Sequence, residues 1–164
     1  MITRKSLPLC LLALSLISAC ASLPNNAPAY TPDSMGTPDK ATVYVYRSSG
    51  FVGGMLSPNV SANGVPLADL PTGGYFVYHA APGTVEFTAH TEAKTSVTVE
   101  AKAGESYYIK ESIGMGVFAG HPHLELVSAD VGAKEIKDCK LVSATIPTAE
   151  QVAAGQARAT SAAK

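Results

Sequence analysis

From Lys40 onward, apolar and polar residues alternate with period two. Ala41-Thr-Val-Tyr-Val-Tyr-Arg47 is a run of β-branched and aromatic residues, the composition of a pleated, packed strand. Asn59 to Leu70 holds Asn63-Gly64 between two short apolar pieces, a hairpin signal because both turn positions need positive φ. Gly74 to Ala80 contains Tyr75, Phe76, Val77 and Tyr78. Val85, Phe87 and Ala89 then alternate with Glu86, Thr88 and His90, and Val97, Val99 and Ala101 with Thr98, Glu100 and Lys102. Ser106 to Ser112 sets Tyr107 and Ile109 against Tyr108 and Lys110; His123 to Ala129 sets Leu124 and Leu126 against His123, Glu125 and Val127. Pro82-Gly83 and Ala103-Gly104 mark turns.

Seven or so short strands with regular turns predict an all-β fold over 40–142, a small antiparallel β-sandwich. Alternation implies that each sheet has one packed and one wet face. A βαβ arrangement is excluded because no helical run separates the strands. One short C-terminal helix is expected from Asp130 to Leu141, capped by Asp130, with Ile136 and Cys139 sharing a face. Residues 143–164 are Ala-rich and read as a flexible tail, with a short helix over Thr148–Ala159 as the alternative.

The N-terminus has another pattern. Arg4 and Lys5 precede an apolar run from Leu7 to Ile17, followed by small Ser18 and Ala19. This is the layout of an export signal over residues 1–19. The run falls short of the roughly 20 apolar residues that a membrane-spanning helix needs, and Pro8 interrupts it. Leu16-Ile17-Ser18-Ala19-Cys20 resembles the bacterial lipobox, with Ile where Leu is more common. The resemblance implies cleavage before Cys20 and lipidation of its thiol, hence a membrane partner held through lipid. Each buried methylene contributes about 0.8 kcal/mol, so two or three chains anchor durably. Ala21 stands where an Asp would signal inner-membrane retention, which favours the outer membrane, facing the periplasm. Residues 20–39 carry Pro24, Pro28, Pro32 and Pro38 without hydrophobic periodicity and are expected to be a lipidated, Pro-rich stand-off tether.

Charge and cysteine content narrow the functions. The chain has 12 basic and 13 acidic side chains. Losing Arg4 and Lys5 with the signal makes it slightly more acidic, so no basic footprint for nucleic acid remains. Cys10 leaves with the signal and Cys20 takes lipid, so Cys139 is left as a candidate free thiol, expected to be buried as a small hydrophobe.

The ordered pieces Thr42-Val-Tyr-Val-Tyr-Arg47, Asn63-Gly64 with Leu67 and Leu70, Gly73-Gly74-Tyr75-Phe76, Ala81-Pro82-Gly83, Ala103-Gly104-Glu105-Ser106-Tyr107-Tyr108 and Gly132-Ala-Lys-Glu-Ile-Lys-Asp-Cys-Lys140 resemble the bacterial lipoprotein domain of unknown function 2846. The resemblance spans roughly Lys40 to Val142. It implies a small exported β-rich domain and supplies no reaction and no catalytic residues.

Candidate chemistry is sparse. His121-Pro122-His123 offers two imidazoles that His79 or His90 would have to complete for a tetrahedral metal, but Pro122 is expected to break that strand. Exposed loop histidines are the plainer reading, so no metal and no cofactor is expected. Gly114 to Gly120 lacks the strand–helix frame and closing Lys-Ser/Thr of a phosphate loop. It is expected to be a mobile loop whose Met115, Val117 and Phe118 form a candidate interaction site for lipid or a partner. No Gly-x-Ser-x-Gly elbow is present, and no His neighbours Cys139 in sequence. The expectation is therefore a non-enzymatic envelope module that binds a protein, a glycan or itself, with Tyr44, Tyr46, Tyr75, Tyr78, Tyr107 and Tyr108 supplying amphipathic surface, though most of them are expected in core or rim packing. The alternative is a small metal-binding protein or enzyme using His and Cys139.

Overall fold

The computed structural model describes residues 23–32, 38–115 and 120–162. The fold is an all-β sandwich of two sheets with nine strands among the described residues. These are β1 (Ala41–Tyr46), β2 (Asn59–Ala62), β3 (Val65–Asp69), β4 (Gly74–Ala80), β5 (Gly83–His90), β6 (Lys94–Ala101), β7 (Ser106–Met115), β8 (Gly120–Val127) and β9 (Lys140–Leu141). The first sheet runs β8-β7-β1-β4-β9 and the second β3-β2-β5-β6. Asn63 and Gly64 form the β2–β3 turn with φ of 48° and 76°, the positive values that a two-residue hairpin demands.

Inward positions of the two sheets make one core. Val43, Val45, Phe76, Ile109 and Leu124 of the first sheet meet Val60, Leu67, Phe87 and Val99 of the second, with Leu70 beside them. Each fully buried side chain of this size contributes about 1.5–3 kcal/mol. The other positions of the first sheet form a separate cluster. Tyr44, Tyr46, Tyr75 and Tyr108 lie buried with Ile136 and Cys139 under α1 (Ala129–Glu135) and a single 3-10 turn, Ile136–Asp138. Gly132 of α1 sits directly on Tyr108, where an added Cβ would overlap the ring.

The structure revises several sequence expectations. The first sheet is mixed, because β1 pairs in parallel with β7 and β4 in parallel with β9. It has no wet face at β1, which is buried at every position. Pro122 does not break β8: it pairs with Ile113 inside the strand. β8 is an edge strand, where a missing N–H costs no ladder bond. The predicted helix is shorter, with Ser128 at the N-cap position, its side chain making no capping hydrogen bond, and Asp130 in the first turn. Cys139 is extended yet still buries with Ile136.

Both tails are more structured than expected. Tyr30 N–H donates to the Cys139 carbonyl and Leu141 N–H to that of Pro28. The Tyr30 ring packs edge-on against Tyr44 and Tyr75 at 6.0 and 5.3 Å. This stretch of the presumed tether is therefore laid on the domain. At the other end Val142 joins the core and α2 (Ala149–Ala162) follows. Its start is a reciprocal cap in which Gln151 N–H donates to Thr148 Oγ1 and Thr148 N–H to Gln151 Oε1.

Candidate functional site

Because β1 and β7 are parallel, both run toward the same end of the sandwich, and the features of greatest interest lie there. Arg47 follows Val43 and Val45 in the inward series of β1. Glu111 occupies the inward series of β7 between Ile109 and Ile113. The two charged groups therefore meet between the sheets, Arg47 Nε lying 3.2 Å from Glu111 Oε2, with side-chain exposures of 4% and 0%. The distance makes an ion pair, but neither carboxylate oxygen receives a well-directed hydrogen bond. The guanidinium hydrogens go elsewhere. Nη1 donates to the Leu56 carbonyl at 2.7 Å and Nη2 to that of Gly53, also at 2.7 Å.

This division of labour sets the electrostatics. Burial pushes the Glu111 carboxyl up to about 7, although Arg47 pulls the other way. Burial likewise lowers the Arg47 guanidinium from its ordinary value, opposed by Glu111. A buried pair of this kind seldom adds net stability against an apolar replacement. Its visible structural effect is to fix the loop 48–58 by two carbonyls.

That loop carries apolar tips. Gly53 is in the left-handed region at φ 67°, and a Cβ there would overlap Ile113, so both backbone and space call for glycine. Gly50 N–H donates to Thr72 Oγ1, tying the loop to the β3–β4 connection. Phe51 and Met55 project outward, 101% and 94% exposed, with Val52 half exposed beside them. Under the loop is an open cavity of about 220 Å³ lined by Arg47, Ser48, Phe51, Thr72, Glu111 and Ile113.

The residues singled out from sequence fare differently. Cys20, Val117 and Phe118 lie outside the described residues, and of Met115 only the backbone pairing with Gly120 is described. Cys139 is a buried free cysteine whose thiol is pushed up to about 11, first by burial and then by Asp138 and Glu135. Sγ lies 3.6 Å from the Arg47 carbonyl. His79 is on β4, His90 on β5, and His121 and His123 share the exposed face of β8. Among the described residues no three His, Cys, Asp or Glu side chains form a metal-holding group. Of the tyrosines, Tyr44, Tyr46, Tyr75 and Tyr108 are interior. Tyr46 Oη donates to Glu135 Oε2 at 2.8 Å, and Lys110 pairs with the same carboxylate. These four tyrosines pack the domain, the role expected for most of the tyrosines.

Sequence reasoning missed Arg47, Glu111 and the Phe51–Met55 tip. The signal was present: Arg47 and Glu111 both interrupt inward apolar series, and two opposite charges at inward positions of different strands need each other.

Comparison with known proteins places the chain. The family described as "Protein of unknown function (DUF2846)" matches residues 37–122. The chain belongs to the DUF2846 family. It is also similar to an uncharacterized protein of Haemophilus influenzae, 27% identical over 126 residues that cover 74% of each chain. The DUF2846 match takes in β1 through the start of β8, with Arg47, the loop and Glu111. It stops before α1 and Cys139, so the Gly132–Lys140 piece of the sequence resemblance lies beyond it. No helix among the described residues is long and apolar enough to cross a membrane.

Proposed function

We propose that this protein is a lipid-anchored module of the bacterial envelope, held through Cys20 on the outer membrane facing the periplasm, that acts by contact rather than catalysis. One observation carries the contact role: an apolar loop presents Phe51 and Met55 fully to solvent while the Gly53 and Leu56 carbonyls beneath them are gripped by Arg47. Exposed aromatic and Met side chains on a fixed frame are the components of a recognition surface. The address rests on the Leu16–Cys20 run.

The test is in-cell photo-crosslinking. A photoreactive residue replaces Phe51 or Met55 in the full chain, with Lys102 as the comparison position. Crosslinks to an envelope component at 51 and 55, and not at 102, are expected. Membrane-bound protein that crosslinks at neither 51 nor 55 would overturn the contact role. The address is tested by mass spectrometry: Cys20→Ser should accumulate as uncleaved precursor, and an unmodified mature N-terminus at Ala21 in the native protein would refute the anchor.

A further inference from the structure

We propose that the loop end of the sandwich lies against the same membrane that holds the anchor, with Phe51, Val52 and Met55 seated in its lipid interface. The inference rests on the proposed lipidation of Cys20 and adds which surface meets the lipid.

The position of Leu23 carries it. Leu23 packs against the core between the sheets. A Cβ built on Gly73 would stand 2.9 Å from Ser49 Oγ and 3.5 Å from Leu23 Cδ1, so Leu23 sits beside the base of the loop. Only Ala21 and Ser22 separate it from Cys20. Three residue steps span at most about 11 Å even when fully extended. Downstream, Pro28 and Tyr30 are bonded to Leu141 and Cys139, so the chain cannot pay out as a long tether between Leu23 and the domain. The lipid-bearing cysteine is therefore confined to the neighbourhood of the loop end.

The chemistry of that end agrees. From Ser48 to Pro58 and from Pro71 to Gly74 there is no charged side chain, and the charge of Arg47 is buried. Seating the Phe51 and Met55 tips strips water from no carboxylate or ammonium group, the costly step in such contacts. The exposed Asp69, Glu92, Lys94 and Lys140, which strand pairing brings to the same end, form a charged rim around the tip. Aromatic and aliphatic tips partition to the headgroup boundary and add to an acyl anchor. The opposite end serves as the comparison. There Lys40 accepts through its carbonyl the N–H of Gly104, and Lys102 and Glu105 are exposed and face each other.

Full-length lipidated protein carrying Met55→Cys or, for comparison, Lys102→Cys is labelled with an environment-sensitive dye; buried Cys139 takes none. It is reconstituted into vesicles of phosphatidylethanolamine and phosphatidylglycerol, with and without brominated acyl chains. The dye at 55 should shift to the blue and be quenched severalfold by brominated lipid, while that at 102 stays unchanged. Equal, weak quenching at both positions in protein that floats with the vesicles overturns the inference and leaves the anchor standing. Protein that does not float and carries an unmodified N-terminus overturns the anchor and the inference together. A dye at 55 that is shielded without vesicles, with crosslinks between chains, assigns the tip to a second copy and also overturns it.

Discussion

Glu111→Gln preserves the size of a wholly buried side chain and removes its charge, so it isolates what ionisation of that carboxyl does to the fold. The folded-state value of about 7 lies above the ordinary 4.5. A group raised in this way binds its proton more tightly in the folded than in the unfolded chain. Its contribution is complete below about 4.5 and is lost as pH climbs through about 7. At 1.36 kcal/mol per unit the loss amounts to roughly 3 kcal/mol. Gln cannot ionise and does not suffer it. Urea unfolding of both proteins from about pH 4 to pH 8 should therefore show near-equal stability at the acid end, with the variant gaining up to ~3 kcal/mol by the alkaline end. Histidines and the other carboxylates cancel in the difference. A variant that loses ground as pH rises would show that ionised Glu111 and Arg47 form a net stabilising pair, and would refute the reasoning that burial outweighs the partner.

Gly132→Ala sets helix propensity, which favours Ala by about 1 kcal/mol, against overlap with the Tyr108 ring. Overpacking of about 1–3 kcal/mol should win, with a net loss of up to about 2 kcal/mol in urea unfolding; a gain would mean that α1 is free to lift off the sheet. Cys139 should resist a thiol reagent at about pH 8 until urea unfolds the domain, since burial both blocks access and holds the thiol protonated. Rapid labelling of folded protein would contradict its placement beneath the tyrosine cluster.

Period-two patterning made most of the sandwich legible, because strands such as β5 and β6 have one buried and one wet face and write that difference into their residues. It was less informative for β1. With both faces buried, Tyr44 and Tyr46 look like a polar-tipped surface series, although α1 and the tyrosine rings enclose them. The parallel pairings were hidden, since alternation reports faces and not neighbours. Pro122 misled because its tolerance depends on an edge position that only the topology supplies. The docked Pro28–Tyr30 stretch was invisible for a related reason: two backbone hydrogen bonds and one ring carry it, with no repeating pattern. The Arg47–Glu111 pair could have been read from two charges at inward positions, but the loop that Arg47 holds is irregular, and its exposed tips resemble ordinary core residues in composition.

The parallel ladder between β1 and β7 also bears on when the fold can form. β1 is central in its sheet, yet its partners β4 and β7 come later in the chain, and the β9 that Pro28 and Tyr30 join is later still. Contacts between the two extremes of a domain form slowly, because a large loop must close before they give any return. If the chain is exported N-terminus first, as the proposed address has it, β1 emerges before either of its partners, and its pairing in the first sheet would be completed only once β7 had crossed.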